Sequence, residues 1–216
     1  MRTCAILPVK PFVHAKRRLE AALSRSARRA LAEAMFTDVL TALRHVEAID
    51  EIVVVSADPG AQRIAARYGA RALDDPAGGG LDEAILRGTS FARELGAAQV
   101  LCVAGDTPLL DPLELDALLG MPRAAERYAA IVADRHGTGT NGLLLSPADA
   151  LPPSYGPGSL ERHRGLAQAA GVPMEVAQLA SLALDVDTPD DLATLRERLA
   201  ACRNGAACTR VMLQRL

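Results

Sequence analysis

Short apolar runs alternate along the chain with longer segments in which apolar residues recur at helical spacing. In the run after Glu51, Val53, Val54 and Val55 follow one another, as is typical of a strand covered on both faces. The clearest strands are predicted at Thr3–Leu7, Glu51–Ser56 and Gln99–Ala104. Weaker ones are predicted at Ala70–Leu73, Ala129–Ala133, Gly142–Leu145, Pro173–Val176 and Leu182–Asp185.

Helical periods fill the segments between the strands. Asp58 before Pro59 predicts an N-cap followed by a first-turn proline, and Gly69 lies just past the end of that helix. Asp187 stands in the same way before the last helix. The predicted helices are Ser24–Val46, Pro59–Tyr68, Leu81–Leu95, Pro112–Leu119, Ser159–Ala170 and Thr188–Ala201. This alternation predicts an α/β fold with right-handed βαβ units and a mostly parallel mixed sheet flanked by helices.

The length of 216 residues suits one α/β domain of substantial size. We assign residues 1–202 to this domain. Residues 203–216 show no clear period, and we expect a loosely packed C-terminal extension of uncertain order.

Half of the residues are hydrophobic and only 3% are aromatic, so the core is expected to be aliphatic. The formal net charge of -2 argues against a protein that binds nucleic acid by neutralising phosphates. The apolar run that ends at Pro8 is too short for a signal peptide, and no stretch reaches the length of a membrane span. Four scattered cysteines without a C-x-x-C pair favour a reduced, cytoplasmic protein.

Ligands of an open α/β sheet bind beyond the carboxyl ends of its strands, and two unusual loops are expected there. Residues 8–19, which include Pro8, Lys10 and Lys16, form a basic, proline-punctuated loop that suits a polyanion such as a triphosphate. A solvated basic surface loop is the alternative. Gly78, Gly79 and Gly80 precede Leu81 and would let backbone N–H groups approach a base or phosphate closely. A flexible turn explains this run equally well.

Acidic residues follow two other strands. Asp106 stands at the end of a strongly apolar strand and is a candidate ligand for Mg²⁺. Its alternative role as a helix cap fits Asp111 better. Asp185 and Asp187 would point to the same side of a strand and could complete a metal site begun by Asp106. Asp187 could instead cap the last helix.

Two further loops combine glycine with hydroxyl groups. Residues 134–142 contain Arg135, Thr138, Thr140 and Asn141 between glycines, a composition that favours an anion-binding nest. Residues 155–159 place Gly156 ahead of Ser159, which could N-cap the following helix and turn its positive end toward an anion.

In this order, the loops resemble the guanylyltransferase family that makes the phosphodiester precursor of the deazaflavin coenzyme F-420. The resemblance runs from near the N-terminus to about Leu195. It is carried by LPVKPFVHAKRRL, DDPAGGGLDEAI, AGDTPLL, DRHGTGTNGLL, YGPGSLERHR and LALDVDTPDDL. It implies a single-domain, Rossmann-like nucleotidyltransferase fold. GTP and Mg²⁺ are implied as well, with 2-phospho-L-lactate, phosphoenolpyruvate or 3-phospho-D-glycerate as acceptor.

The same resemblance implies roles for individual residues. It implies metal ligands at Asp106, Asp185 and Asp187, and a site for the acid at Thr140, Gly156 and Ser159, with Thr138, Asn141 and Arg135 nearby. GTP contacts are implied at Lys16 and at Gly78–Leu81, and Pro8 and Lys10 belong to the same basic loop. We therefore assign catalytic roles to Asp106, Lys16 and Arg135.

Thr107 and Cys102 depart from the family pattern and leave the shape of the acceptor pocket open. The expected reaction is attack of the acceptor phosphate on the α-phosphorus of GTP, with release of pyrophosphate. A cofactor or sugar-phosphate nucleotidyltransferase using CTP or UTP remains an alternative, as does a non-catalytic nucleotide-binding domain. The expected partners are small molecules, without nucleic acid or membrane, and a homodimer is left open.

Overall fold

A computed structural model describes residues 1–75, 80–202 and 204–216. Its strands begin and end close to the predicted positions, because each is a short apolar run that a turn residue closes. They are β1 (Thr3–Pro8), β2 (Glu51–Val55), β3 (Arg71–Leu73), β4 (Gln99–Val103), β5 (Tyr128–Ala133), β6 (Thr140–Ser146) and β7 (Met174–Ala177).

The helices also follow the predicted order, and their caps explain where they start. Asp58 and Asp111 accept hydrogen bonds from the amides of Gly60 and Leu113, as N-caps before a first-turn proline do. The helices are α1 (Arg25–Leu43), α2 (Pro59–Arg67), α3 (Leu81–Glu94), α4 (Pro112–Gly120), α5 (Ser159–Ala170), α6 (Pro189–Ala201) and α7 (Ala207–Leu213). Two single-turn 3-10 helices, Phe12–His14 and Arg17–Leu19, lie in the loop after β1.

The strands form one sheet in the order β3-β2-β1-β4-β6-β5-β7. The pairs β3–β2, β2–β1, β1–β4 and β5–β7 are parallel, whereas β6 runs antiparallel to both of its neighbours. The predicted α/β fold with a mostly parallel mixed sheet is therefore confirmed.

Alternate residues of the central strands face two separate apolar layers. Ala5 and Leu7 of β1 pack with α1, α2 and α4, and Cys4 and Ile6 pack on the opposite face with α3 and α5. A third cluster joins α6 to the first residues of α1 around Leu31 and Leu184. Both faces of the sheet are covered, as the continuous valine run of β2 indicates.

One predicted strand was wrong. Residues 180–183 form a turn and a bend, and residues 184–187 have no regular secondary structure and do not join the sheet. Leu182 and Leu184 are nonetheless fully buried, and the carbonyl oxygens of Leu182 and Ala183 accept hydrogen bonds from the side chain of Asn141. The apolar alternation that predicted a strand reflects burial, and side-chain bonds replace the expected ladder.

The expectation of a loosely packed extension was also wrong for the residues that form α7. This helix packs against α1, and Thr209 is fully buried. The carboxylate of Asp38 in α1 accepts hydrogen bonds from the amides of Cys208 (2.9 Å) and Thr209 (2.7 Å) at the start of α7. Asp38, which binds the start of α7, lies 170 residues away in the sequence, so no local pattern predicts the contact. The domain boundary at residue 203 stays a prediction.

Among the helices of the described residues, none combines the length and the apolar character that crossing a membrane requires.

Candidate functional site

A cleft of about 460 Å³ opens at the carboxyl ends of β1 and β4. The loop after β1 forms one wall with Pro8, Lys10 and Lys16, and Asp106 follows β4. Thr140 and Asp187 reach the cleft from β6 and from the segment before α6. The cleft lies where the topology of an open α/β sheet places its ligands.

Lys16 lies at the centre of the charged part of this cleft. Its backbone is left-handed, with φ 55° and ψ 39°, which is uncommon for a residue other than glycine. Its ammonium group is buried and contacts the carboxylate of Asp106 and, at 3.0 Å, that of Asp187. Burial alone would lower the pKa of Lys16, but the two carboxylates reverse the effect and hold the pKa above its ordinary value.

Asp187 is free for this contact because it does not cap α6. Thr188 is the N-cap, and its hydroxyl accepts a hydrogen bond from the amide of Asp191. The Asp191 carboxylate accepts in return from the amides of Thr188 (2.7 Å) and Asp187 (3.0 Å), which completes a capping box. The prediction that Asp187 caps the last helix was therefore wrong, and the side chain of Asp187 points to Lys16.

Asp185 is held by Asn141, whose amide nitrogen donates to its Oδ1 at 3.1 Å. Burial and the nearby carboxylate of Asp106 raise the pKa of Asp185, and Asn141 opposes them in part. Asp106, Asp185 and Asp187 therefore form a group of interacting carboxylates, although residues 182–185 are not the predicted strand. Across the described ranges, no three acidic, histidine or cysteine side chains already stand in a metal-binding arrangement.

Arg135, predicted to be catalytic, does not line the described wall of the cleft. Its guanidinium forms an ion pair with Asp191 (N–O distance 2.6 Å) and donates to the hydroxyl of Thr194. Because Asp191 also accepts a hydrogen bond from the amide of Asp187, Arg135 is connected to Asp187 through Asp191. The structure thus places Arg135 behind the acidic group, where it can position Asp187.

Two hydroxyl groups and an imidazole meet on the other side of the cleft. Ser159 Oγ donates to Thr140 Oγ1 at 2.9 Å, and His163 Nδ1 lies 3.2 Å from the same oxygen. Ser159 does not cap α5 as predicted, because Gly158 in a left-handed conformation is the N-cap. Ser159 is instead the first residue of the helix, nearly fully buried.

The turn before α5 is held together by Arg162. Its guanidinium donates to the carbonyl oxygens of Ser154 (3.0 Å) and Tyr155 (2.8 Å) and also contacts that of Pro157. Gly156 takes φ 112° within this turn, a conformation that other residues rarely adopt. Gly156 is exposed, so the structure brings its neighbour Tyr155, rather than Gly156 itself, to the cleft wall.

Thr138 lies in the loop between β5 and β6 and is exposed. Its amide donates to the carboxylate of Asp134 at 2.8 Å, and the pKa of Asp134 is lowered, since backbone hydrogen bonds from Gly139 and Thr138 outweigh its partial burial. Thr138 therefore shapes the predicted nest but is not among the residues that line the cleft.

The predicted nucleotide contacts divide into three groups. Pro8, Lys10, Lys16 and Leu81 line the cleft. Gly80 is exposed and precedes α3 as its N-cap residue. Gly78 and Gly79 lie outside the described residues.

The two residues that depart from the family pattern, Thr107 and Cys102, differ in whether they line the cleft. The hydroxyl of Thr107 donates to the carbonyl of Ala104 at 3.0 Å, and its buried side chain is not part of the cleft lining. Cys102 does line the cleft, as Tyr155 does, and burial raises the pKa of its thiol to about 12. Cys102 is thus the departure that touches the pocket.

Tyr155 and His163 were missed as site residues. Burial raises the pKa of Tyr155 well above its ordinary value, and the Tyr155 ring packs edge-on against His163, with centroids 5.2 Å apart. The spacing of Ser159 and His163 could have identified the histidine, since residues four apart share a face of a helix. Tyr155 follows an irregular proline-containing loop that gives no such signal.

The class of this fold is shown by a solved structure. A nucleotidyl transferase of Methanothermobacter thermautotrophicus has the same fold, with a TM-score of 0.65 at 18% identity over 93% of this chain and 98% of that one. This likeness shows that the chain has the predicted nucleotidyltransferase fold.

The family is shown by sequence. Residues 3–197 match the family described as guanylyl transferase CofC like, and the chain belongs to it. The phosphoenolpyruvate guanylyltransferase of Conexibacter woesei is 60% identical over 216 residues, which cover 100% of this chain and 97% of the relative. The 2-phospho-L-lactate guanylyltransferase of Methanothermobacter thermautotrophicus is 36% identical over 89% of this chain and 83% of that protein. The resemblance drawn from the motifs is confirmed, and the chain is a nucleotidyltransferase, as predicted.

Proposed function

We propose that this guanylyltransferase transfers GMP from GTP to phosphoenolpyruvate and releases pyrophosphate, as a step in the synthesis of coenzyme F-420. The observation that carries the proposal is the 60% identity, over the whole chain, to a relative named for that acceptor. The related acids 2-phospho-L-lactate and 3-phospho-D-glycerate are the alternatives, and the 36% identical relative carries the name of the first.

The reaction requires a nucleophile and a leaving group, and the negative charge on both must be offset. An oxygen of the acceptor phosphate forms the new bond to the α-phosphorus of GTP, and the bond from that phosphorus to the pyrophosphate oxygen breaks. An ionised phosphate is already nucleophilic, so no side chain needs to take a proton from it. Lys10 and Lys16 in the cleft would hold the negative oxygens in place and offset their charge.

The acidic group would hold a divalent cation. Its donors are all carboxylates, from Asp106, Asp185 and Asp187, and oxygen ligands suit Mg²⁺ better than softer metals. When bound, Mg²⁺ would neutralise charge on the phosphate oxygens. The contacts of the Lys16 ammonium with Asp106 and Asp187 support this assignment, since a positive charge already lies against these carboxylates. Asn141 and Arg135 would keep Asp185 and Asp187 in place.

The acid would bind on the side of Thr140 and Ser159. Thr140 lines the cleft across from the charged groups, and its hydroxyl can donate to a carboxylate or phosphate oxygen. Gly156 and Thr138 would shape this end through their turns, without direct contact from the positions described. The nucleotide would bind along Pro8, Lys10 and Leu81, which line the same cleft.

The test is a matrix of donors and acceptors. The purified chain with Mg²⁺ is incubated with GTP, CTP, UTP or ATP and with each of the three acids, and pyrophosphate release and the mass of the product are measured. We expect turnover with GTP and fastest turnover with phosphoenolpyruvate. Faster turnover with CTP or UTP would identify a different nucleotidyltransferase, and no pyrophosphate in any mixture would favour a non-catalytic nucleotide-binding domain.

Omission of the metal sharpens this experiment. Treatment with a chelator should abolish pyrophosphate release, and added Mg²⁺ should restore it. Activity that survives the chelator would contradict the metal assignment while leaving the transfer reaction intact. We place the reaction in the cytoplasm, because the four cysteines are free thiols and such thiols persist in a reducing compartment.

A further inference from the structure

A chain of hydrogen bonds leads from the backbone before α5 to the cleft. The amide of Ser154 donates to His163 Nε2 at 3.0 Å. His163 Nδ1 lies 3.2 Å from Thr140 Oγ1, and Ser159 Oγ lies 2.9 Å from the same oxygen. His163 is fully buried, so these bonds are not shared with solvent.

The bond from Ser154 fixes the tautomer of the imidazole. A backbone N–H can only donate, so Nε2 must be the unprotonated nitrogen of the ring. A neutral imidazole carries one proton, which is therefore on Nδ1. Burial lowers the pKa of His163, which keeps the ring neutral near pH 7; Asp82 and the backbone of Ser159 oppose this shift, and Arg162 adds to it. Nδ1–H thus donates to Thr140.

The donation from His163 determines what the two hydroxyl groups can do. Thr140 and Ser159 together have two hydroxyl protons, and one of them forms the bond between the two oxygens. His163 cannot accept the other, because its Nδ1 already carries a proton. One hydroxyl proton is therefore left, and Thr140 is the member of the pair that lines the cleft.

We propose that His163 is a positioning residue that orients the Thr140–Ser159 hydroxyl pair as a hydrogen-bond donor to an anionic oxygen of the acid substrate. The proposal rests on the proposed function, since it assigns the acid to this side of the cleft. His163 itself takes no part in bond making. Its effect falls on the binding of the acid and leaves that of the nucleotide unchanged.

Two substitutions separate the roles of the ring nitrogens. In His163→Gln the side-chain oxygen can accept from Ser154 as Nε2 does, but the donor to Thr140 is lost. In His163→Asn an amide N–H can take the place of Nδ1–H, and the bond to Ser154 is lost. We expect His163→Gln to raise the KM for the acid about tenfold while the KM for GTP stays within about twofold. His163→Asn should return the KM for the acid to within about threefold of the parent value.

A purely structural histidine would behave differently. Both variants would then melt earlier and lose active enzyme, and the two KM values would stay as in the parent. An equal rise of both KM values, or identical kinetics of the Gln and Asn variants, would overturn the proposal.

The tautomer can be measured without any activity. Long-range ¹H–¹⁵N spectra of the parent protein distinguish a protonated Nδ1 from a protonated Nε2, and the loss of one signal in His163→Asn assigns it among the four histidines. We expect the Nδ1–H form at pH 7, and an Nε2–H form would overturn the proposal. If the parent turned over no acid with GTP, the proposed function would fail, whereas turnover with unaltered KM in His163→Gln would contradict only the present proposal.

Discussion

The two walls of the cleft bind anions by different physical means. On the charged wall, formed by Lys16, Asp106 and Asp187, a buried ammonium group stands between two carboxylates. On the neutral wall, Thr140 lines the cleft, and the buried hydroxyl of Ser159 and imidazole of His163 behind it converge on the Thr140 hydroxyl. The charged wall can exchange its partners when phosphates and a cation arrive, since its attraction depends little on direction. The neutral wall offers a fixed donor, whose strength depends on geometry.

This difference predicts where substitutions act. A change on the charged wall should affect the chemical step, because charge develops on the phosphates there. A change on the neutral wall should affect the binding of the acid. The predictions that follow test this division, from the largest expected effect to the smallest.

The largest effect is expected for Asp106→Asn. The substitution removes a carboxylate from the acidic group and one of the two charges that surround Lys16, with almost no change in volume. We expect kcat to fall roughly thousandfold, as measured by pyrophosphate release at saturating GTP and acid. Because Lys16 keeps its contact with Asp187, the melting temperature should stay close to that of the parent.

Asp111→Asn is the matched control for this change. Asp111 follows the same strand five residues later and caps α4, and asparagine is an equally good N-cap. Its kcat should remain at the parent value. Near-normal turnover of Asp106→Asn, or an equal loss in both variants, would contradict the assignment of the charged wall to catalysis.

The charged wall was largely predictable from the sequence, and the neutral wall only in part. Asp106 and Lys16 follow apolar strands, and topology alone brings the carboxyl ends of parallel strands together. The ion pair of Arg135 with Asp191 could not be predicted, because the two residues are 56 positions apart and no local pattern links them. His163 was missed because the basic residues around it in α5 conceal its buried face.

The same reasoning explains which parts of the fold were predicted. A short apolar run at β2 or β4 predicts a strand because a strand covered on both faces needs continuous apolar side chains. The run from Leu182 to Asp185 has similar residues and is not a strand, since its carbonyl groups bind the side chain of Asn141. The periodicity of apolar residues indicates which side chains are buried, but it does not identify the hydrogen-bond partners of the backbone.

The next effect is expected for Thr140→Val, which replaces the hydroxyl on the neutral wall with a methyl group of similar size. The acid loses its donor and the buried Nδ1–H of His163 loses its acceptor. We expect the KM for the acid to rise about 10- to 100-fold, with kcat and the KM for GTP much less affected. Steady-state kinetics with each substrate varied in turn would measure this.

Thr209→Val gives a matched control. Thr209 is also fully buried but lies in α7, and within the described part of the chain its hydroxyl has no hydrogen-bond partner. All kinetic constants of this variant should equal those of the parent. A kcat loss in Thr140→Val with an unchanged KM for the acid would remove the distinction between the two walls.

A smaller effect on activity is expected for Arg135→Gln, which removes the ion pair with Asp191 behind the charged wall. We expect kcat to fall less than about tenfold and the free energy of unfolding at pH 7 to fall by about 1.5–3 kcal/mol. Burial would raise the pKa of Asp191, but hydrogen bonds from Thr188 and Asp187, together with Arg135, hold it below its ordinary value.

The pH dependence of this loss of stability follows from the lowered pKa of Asp191. A carboxyl with a lowered folded-state pKa contributes its stability above the unfolded value of 3.8, and the contribution disappears as the pH falls through the lower folded value. Urea unfolding should therefore show the larger difference between parent and variant at pH 7 and a smaller one near pH 3. A difference of equal size at both values would mean that Arg135 stabilises the fold by packing rather than by charge.

The smallest effect is expected for Cys102→Ala, which should change only the preference among acids. Cys102 lines the cleft beside Tyr155, so the loss of its sulfur enlarges the pocket. The bulkier 3-phospho-D-glycerate should gain in kcat/KM relative to phosphoenolpyruvate by roughly three- to tenfold.

Cys4→Ala is the matched control, because Cys4 is equally buried in the same apolar layer on the neighbouring strand but does not line the cleft. Both variants should lose about 1 kcal/mol of stability, and only Cys102→Ala should change the ratio of the two acids. An equal change of the ratio in both variants would show that the sheet transmits the effect and that Cys102 does not set the shape of the acceptor pocket.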